Sequence, residues 1–425
     1  MSDTVARGTA INLANRLLAV GLVLAITAFT ARLGTGTQGA FALFTSVEGV
    51  LLALLSGFGI ALARRVSHHG EDTRRLLGAI VLACIAIGTL AGVALWVFSR
   101  IGPPAYAGLW LLALAAPLLL VTPNVVGIWL GEGRMAPMAA SSLAAPLLTL
   151  SALAALSLAG GAALLQVLAA WVAAKVLVAL VVLAVLWRAG RLAAPDFGAL
   201  RGEAPFITTI GAANLVGLLN YRVGLFVIER LLGLSATGVY SIAIVVAELL
   251  WFVSGSLTQA AYSRIGTPDG ARAAATTVRV MQLGVAALVV AAPLLWLAAR
   301  VVLPLALGPD YAASLPLLAL LLPGVLLFGG ASSLSAYFTN HAGRPQVPAQ
   351  VAAVSLVLNA ALALALVPRL GMAGAAIAAS LSYALSVLLL AARFAACTGL
   401  PLTQVLLPGP QLAHDLRTLA SRRGG

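Results

Sequence analysis

Unbroken runs of apolar residues, about twenty residues long, alternate with short polar stretches along the chain. A helix needs about 20 mainly apolar residues to cross the hydrocarbon core of a bilayer. Twelve runs meet this requirement: 9–31, 40–62, 76–98, 106–130, 138–158, 161–187, 206–229, 236–261, 275–299, 313–338, 347–367 and 371–396. The pattern therefore predicts an all-α, polytopic membrane protein with about twelve transmembrane helices.

Two segments do not fit a membrane span. The apolar run 301–305 is short, and we expect it to form an interfacial loop. After residue 398 the sequence predicts a loop, followed by a short basic amphipathic segment at 411–423. Residues 398–425 are therefore expected to form a cytoplasmic basic tail.

Composition supports the membrane assignment. Apolar residues make up 62% of the chain and charged residues 9%, against about 45–50% and about 25% in soluble proteins. A soluble enzyme of this composition would aggregate, and disorder requires low hydrophobicity. The apolar runs are also far longer than the strands of about ten alternating residues that form outer-membrane barrels.

The basic residues predict the orientation. The chain has 25 basic residues and a net charge of +13. With a cytoplasmic N-terminus, 17 of them fall in cytoplasmic segments, five fall on the opposite side and three lie within helices. This bias follows the positive-inside rule and predicts that both termini are cytoplasmic. It also explains the net charge without nucleic-acid binding. The first run carries Arg16 and is expected to be a retained helix, not a signal peptide.

The sequence also repeats itself. The paired segments are 33–41 with 232–240, 133–134 with 343–344, and 159–162 with 371–375. Because the offsets of about 200 residues span six helices, they predict two six-helix lobes in the same orientation, related by a pseudo-two-fold axis along the membrane normal. The expected division is 1–203 for the N-terminal lobe, 204–397 for the C-terminal lobe and 398–425 for the tail. Parallel halves of this kind enclose a transport cavity.

Six charged residues lie within the predicted spans: Arg16, Glu48, Lys175, Arg222, Glu229 and Glu248. A charge at the bilayer centre costs about 2.5–3.5 kcal/mol on insertion scales, so it usually faces a cavity or a partner. Lys175, Arg222 and Glu248 lie deepest, whereas Arg16 and Glu229 could reach the headgroups.

Two interpretations of these charges stand side by side. In one, they pair with each other and hold helices together; Arg222 with Glu248 is the obvious pair, because their helices are neighbours. In the other, Arg222, Lys175 and Arg16 form a cationic cavity that binds phosphate oxygens, and Glu48 and Glu248 couple transport to ions. Four uncharged residues could then bind sugars or instead link helices: Asn15, Asn214, Asn220 and Tyr221.

Signals of catalysis or cofactor binding are absent from the sequence. The four histidines fall in predicted cytoplasmic loops or the tail, and there is no metal-ligand spacing, P-loop or nucleophile elbow. We therefore expect no enzyme and no cofactor. A membrane enzyme of polysaccharide assembly remains an alternative, in which external-loop residues such as Arg300 and Asp310 would be essential.

Several short motifs, in order along the chain, carry a family resemblance. They are LG…G at 33–39, GFGI at 57–60, NYRV at 220–223, GVYSIA at 238–243, GPDY at 308–311, GRP at 343–345 and VPRLGMAGAA at 367–376. In these motifs the chain resembles the polysaccharide and O-antigen flippases. They belong to the superfamily that also holds the multidrug and toxin extrusion exporters and the lipid II flippases.

The resemblance implies a function. Such flippases move polyprenyl-diphosphate-linked oligosaccharides across the bacterial inner membrane, and Arg222 matches their charged position on helix 7. The expected partners are the lipid-linked glycan, the bilayer and polysaccharide polymerases or glycosyltransferases. One departure is Gly224, where many relatives carry Asp, which leaves ion coupling open. The alternative of the same fold is a cation-coupled exporter of drugs or small metabolites.

Overall fold

The computed structural model of the protein describes residues 2–69 and 73–407, and the side chains from Asn15 onward in these ranges except those of Arg16, His68 and His69. The described chain is helical, and eleven of its helices are long and apolar enough to cross a membrane. A shorter apolar helical segment, Leu17–Arg32, accompanies them. The predicted all-α membrane protein with about twelve spans is confirmed.

The chain divides into two compact units, Met1–Leu218 and Leu219–Gly425. The N-terminal unit contains nine helices, a 3-10 turn at Pro104–Tyr106 and the first part of a tenth helix. These helices are α1 Ser2–Arg32, α2 Thr35–Leu55, α3 Gly57–His69, α4 Arg74–Ile101, α5 Leu109–Leu119, α6 Val121–Val125, α7 Gly127–Gly131, α8 Met135–Leu158, α9 Leu164–Arg188 and α10 Phe197–Leu232.

The C-terminal unit begins within α10 and has a 3-10 turn at Pro309–Tyr311 and a π-helical turn at Tyr337–His341. Its remaining helices are α11 Leu234–Glu248, α12 Leu250–Ile265, α13 Gly270–Leu307, α14 Ser314–Gly330, α15 Ser332–Ala336, α16 Gln346–Leu370, α17 Met372–Thr398 and α18 Leu402–Leu406.

The element order of the first unit recurs in the second. In each, a long helix leads through a glycine turn to a helix that is broken near its middle. An unbroken helix, a 3-10 turn, a second broken helix and two unbroken helices follow in that order. The glycine turns correspond in conformation, with φ of +117° at Gly34 and +85° at Gly233. Residues with a side chain rarely adopt such angles, which explains why the sequence repeat retains these glycines.

Proline and asparagine account for the second break of the N-terminal unit. Pro123 has no backbone N–H to continue the helical ladder, and α6 is a single short segment around it. The Asn124 side chain donates to the Leu120 carbonyl at 2.8 Å and accepts from the Gly59 N–H at 3.1 Å. A polar side chain thus satisfies backbone groups at the break and joins it to α3.

One short apolar segment differs from its prediction. Residues 301–305 continue the α13 helix to Leu307 and do not form an interfacial loop. Pro304 is the only helix breaker among them and stands in the last turn, too late to stop the helix earlier. At about 1.5 Å per residue, the 38 residues of α13 extend well beyond the hydrocarbon core. The predicted basic segment 411–423 lies outside the described residues.

The division between the units falls inside α10, at Leu218–Leu219, whereas the sequence places it at 203–204. The first part of α10 packs closely on the N-terminal unit: a Cβ on Gly57 would lie 2.2 Å from the Ile207 carbonyl oxygen. The buried Glu203 carboxylate binds Arg64 at 2.5 Å and Arg65 at 2.8 Å. These contacts join the first part of α10, on both sides of residue 203, to the first unit.

Candidate functional site

The N-terminal unit holds a carboxylate–lysine pair within its membrane helices. Glu48 on α2 is 3% exposed. Its Oε1 lies 2.5 Å from Lys175 Nζ on α9, and its Oε2 accepts from the Trp171 indole N–H at 2.7 Å. Lys175 Nζ also lies 4.1 Å from the centroid of the Trp171 ring. Because Trp171 and Lys175 are four residues apart on one helix face, α9 presents both donors to one carboxylate.

The C-terminal unit holds a carboxylate–arginine pair. Glu248 at the end of α11 binds the Arg222 guanidinium of α10 through both oxygens: Nη1 to Oε1 is 3.0 Å and Nη2 to Oε2 is 3.2 Å. Both side chains are about one-fifth exposed. The planar guanidinium fork favours this two-point geometry. The charge of the arginine is thus neutralised by a residue of the same unit.

The two glutamates occupy nearly repeated positions, but the helices that they contact do not correspond in the element order of the two units. Glu48 stands fourteen residues after Gly34, and Glu248 stands fifteen residues after Gly233. One residue turns an α-helix by about 100°. With this shift, Glu48 contacts α9, whereas Glu248 contacts α10, the helix that precedes its own glycine turn.

A cavity of about 260 Å³ lies beside the first pair. It is lined by side chains of α2, α5, α6, α8 and α9, among them Glu48, Lys175, Thr122, Ser141 and Ser142. The Thr122 hydroxyl oxygen is buried and has no hydrogen-bond partner among the described residues. Among the side chains that the structure describes, the cavity therefore offers one cation, one carboxylate and several hydroxyl groups inside an apolar helix bundle.

The second pair borders an aromatic cluster, which we define as Tyr221, Trp251, Phe328 and Tyr383. Their ring centroids lie 4.8–6.2 Å apart in edge-on or tilted arrangements, as aromatic side chains prefer. The void beside this cluster and Glu248 measures about 10 Å³, room for about one water molecule. The void beside the aromatic cluster is thus much smaller than the cavity beside Lys175.

The predicted asparagines separate into different environments. Asn15 donates to Ser142, which lines the cavity of the N-terminal unit, at 3.2 Å. Asn214 donates to Ser56 at the α2–α3 break at 2.8 Å. Asn220 is buried and donates to Ser355 of α16 at 3.0 Å. Asn15 therefore lies close to the charged cavity, and Asn214 and Asn220 link helices.

Gly224 lies against the side chain of Tyr240. A Cβ at this position would be 3.0 Å from the Tyr240 hydroxyl oxygen and 3.3 Å from a ring carbon. A larger side chain would require the tyrosine ring to move. In this chain the bulk of Tyr240 therefore fills the space beside Gly224 on α10.

Arg16 and Glu229 are the other two charged residues of the predicted spans. The Arg16 side chain lies outside the described residues, and Glu229 lies near the end of α10, three residues before Leu232. Among the described residues, no group of three or more His, Cys, Asp or Glu side chains could hold a metal ion.

Sequence reasoning missed several residues of these sites. Trp171 precedes Lys175 by four positions, a helical spacing that could have identified it. Asn359 is the one asparagine in the apolar run of α16. Its amide donates to the Asn220 carbonyl at 2.8 Å, and its own oxygen is buried with no hydrogen-bond partner among the residues that the structure describes. Nothing in the sequence marked Thr122 as a site residue, since threonine is common beside a helix break.

No protein-family model matches the chain, and no curated protein sequence matches it. Solved structures do. One is the lipid II flippase MurJ in an inward closed conformation, with a TM-score of 0.74, 12% identity and coverage of 94% of this chain and 89% of that one. Another is a multidrug resistance MATE family transporter of the MOP superfamily in an inward-facing conformation, with a TM-score of 0.71, 17% identity and coverage of 90% and 95%.

A third similar structure is a MOP superfamily transporter from Pyrococcus furiosus, described as having a binding pocket of reverse polarity. Its TM-score is 0.63 at 15% identity, with coverage of 92% of this chain and 96% of that one. At these identities the likeness concerns the fold, and it extends over nearly the whole length of each chain. The chain therefore has the fold of the MOP superfamily transporters.

Proposed function

We propose that the protein is a flippase that moves a polyprenyl-diphosphate-linked oligosaccharide across the bacterial inner membrane for surface polysaccharide assembly. Both termini face the cytoplasm in this proposal, and polymerases or glycosyltransferases of the same assembly route are its partners. The diphosphate binds basic residues within the helix bundles, while the prenyl chain stays in lipid.

One observation carries the proposal: each unit has a partly accessible basic side chain deep in an apolar helix. Lys175 is 25% exposed and Arg222 is 22% exposed, and each is bound by a carboxylate of its own unit. Partial exposure leaves hydrogen-bond donors available to a phosphate group.

A cation-coupled exporter of drugs or metabolites is the second candidate, and the aromatic cluster favours it. Aromatic faces attract organic cations, and Glu248 would supply a negative charge beside them. The void at this cluster has room for about one water molecule, so a drug-sized cation would require the rings to separate. The larger cavity beside Lys175 favours the flippase.

Mass spectrometry of lipid-linked glycans tests the proposal in a strain that lacks this protein but keeps precursor synthesis intact. Accessibility to an added glycosidase assigns the leaflet. We expect a diphosphate-linked oligosaccharide to accumulate on the cytoplasmic side. Normal glycan levels combined with new sensitivity to cationic dyes would instead favour the exporter.

Complementation with single variants connects the phenotype to the site. Arg222→Ala should leave the glycan stranded on the cytoplasmic side while folded protein is still present in the membrane. Arg300→Ala is the matched control, because this exposed arginine lies at 6.0 Å from the Trp296 ring and outside both pairs. Full export by Arg222→Ala contradicts the cationic site, and loss of activity in Arg300→Ala alone favours a membrane enzyme.

A further inference from the structure

A second cavity, of about 440 Å³, lies at one end of the C-terminal unit, and neither charged pair lines it. One wall is a face of α13 that runs from Gly270 through Ala275 and Arg279 to Gln282. The facing wall comes from the end of α17, from α18 and from Tyr337. The volume falls within the range of about 300–1,000 Å³ that is typical of ligand sites.

The charges of α13 place this cavity at the depth of lipid headgroups. The twenty residues from Val280 to Ala299 include no charged side chain, and Arg279 and Arg300 stand at the two ends of this stretch. At about 1.5 Å per residue the stretch is about 30 Å long, which matches the thickness of the hydrocarbon core. Arg279 therefore lies at one membrane interface and Arg300 at the other.

The opposite wall indicates the same depth. In α17 the residues from Met372 to Ala392 carry no charge, and Arg393 follows this stretch. Cys397 and Thr398 line the cavity and stand four and five residues beyond Arg393. Both walls thus leave the hydrocarbon core beside the cavity, so a molecule bound there is level with the lipid headgroups.

The chemistry of the cavity favours an anion. Among the residues that the structure describes, Arg279 is the one charged side chain that lines it, and a guanidinium binds phosphate oxygens at two points. Gly270 and Ala271 add the positive end of the α13 helix dipole. No acidic side chain lines the cavity in the described part of the chain. The cavity therefore lacks a carboxylate that would bind the ammonium group of a zwitterionic headgroup.

Gln282 holds the α18 wall of the cavity in place. Its side-chain Nε2 donates to the Gln404 carbonyl at 3.1 Å and to the Leu407 carbonyl at 2.7 Å. Within this short segment Val405 is buried, whereas Leu402 and Leu407 are exposed. The segment thus presents apolar surface close to a cationic cavity, and this combination suits the apolar chains and the charged headgroup of a phospholipid.

We propose that this cavity binds the headgroup of an anionic phospholipid, with the Arg279 guanidinium on its phosphate oxygens. In the orientation proposed above, α13 begins in the cytoplasm, so the site belongs to the cytoplasmic leaflet. Anionic lipids give that leaflet its negative surface potential. The inference does not depend on which substrate the protein moves.

Native mass spectrometry of the purified full-length protein tests the site. The protein is titrated with phosphatidylglycerol and, separately, with phosphatidylcholine of the same acyl chains. We expect the wild type to bind the first phosphatidylglycerol molecule at least about fivefold more tightly, the gain from one basic side chain at an anionic lipid surface. Arg279→Gln should remove this preference. Arg264→Gln is the matched control and should keep it, because this exposed arginine at the end of α12 does not line the cavity.

A second variant tests the cavity separately from the charge. Ala275 is exposed and lines the cavity, so Ala275→Phe fills it without crowding the core and leaves Arg279 in place. This variant should also lose the preference for phosphatidylglycerol. An unchanged preference would mean that the lipid meets Arg279 at the open surface, and it would overturn the cavity site.

Inorganic phosphate distinguishes a lipid from a soluble phosphate ligand. An excess of inorganic phosphate should leave phosphatidylglycerol bound, because the apolar chains contribute to lipid binding. Displacement of the lipid by inorganic phosphate would assign the cavity to a soluble ligand and overturn the lipid site. A wild type without preference for phosphatidylglycerol would also overturn it. Neither result changes the accumulation of lipid-linked glycan expected above, so the flippase proposal is tested separately.

Discussion

Removal of Lys175 alone should be among the most destabilising single changes in the N-terminal unit. Lys175→Met keeps the aliphatic stem but deletes the contact to Glu48 at 2.5 Å and the contact to the Trp171 ring at 4.1 Å. Breaking a buried ion pair by removing one partner costs about 3–5 kcal/mol, since the other charge stays buried. Because Lys175 is partly exposed, we expect the lower part of this range, about 3–4 kcal/mol.

Thermal unfolding in detergent measures this cost. A loss of 1 kcal/mol lowers Tm by about 2–4 °C in a domain of 150–250 residues, and the N-terminal unit is of this size. Lys175→Met should therefore lower Tm by about 6–16 °C. Replacing both partners, in Glu48→Gln/Lys175→Met, should recover most of the loss, since an apolar or neutral pair of similar volume is often as stable as the ion pair.

The double variant is the control on which the reasoning depends. It lacks the same lysine as the single variant but contains no unpaired carboxylate. A Tm within about 4 °C of the wild type would attribute the damage in Lys175→Met to the stranded charge on Glu48. A double variant as unstable as the single one, or a single variant within 2 °C of the wild type, would refute the argument.

Two structural predictions concern helix contacts. Gly127→Ala should destabilise the protein by at least about 1–3 kcal/mol, since its Cβ would lie 2.2 Å from the Gly59 carbonyl oxygen. Gly217→Ala is the matched control, because its Cβ would have no atom within 4 Å. Equal Tm values for the two variants would contradict the close packing. Glu203→Gln should cost about 1–2 kcal/mol because two charge-assisted contacts to partly exposed arginines weaken. An unchanged Tm and unchanged proteolysis of the 189–196 connector would show that these contacts contribute nothing.

The membrane helices were predictable because their cause is local. A backbone that crosses a bilayer must satisfy its own hydrogen bonds, so each span is a helix of about twenty apolar residues. Each of the twelve apolar runs of the sequence meets this requirement, and the structure has helices in all twelve runs. The glycine turns at Gly34 and Gly233 were equally visible, because a positive φ favours glycine wherever the chain repeats such a turn.

The predicted loop at 301–305 failed for a related reason. Its apolar residues are compatible with an interfacial loop and with a helix that extends beyond the hydrocarbon core. The length of the run cannot distinguish these two structures. Neighbouring elements decide such cases: α13 packs against α14 and against the 3-10 turn at Pro309–Tyr311 that follows its C-terminal end, and here the helix continues to Leu307. The division of α10 at Leu218–Leu219 likewise follows from contacts of its first part with α2 and α3.

The sequence by itself determined which charges enter the membrane and how deep they lie, because depth follows from position along a helix. It also indicated the pair of Arg222 with Glu248, because their helices are neighbours, whereas only the tertiary structure decided the partner of Glu48. Glu48 meets Lys175, 127 residues away, and Glu248 meets Arg222, 26 residues away, although the two glutamates stand in nearly repeated positions. A shift of one residue rotates a side chain by about 100°, and the helix that it then faces depends on how the bundle packs.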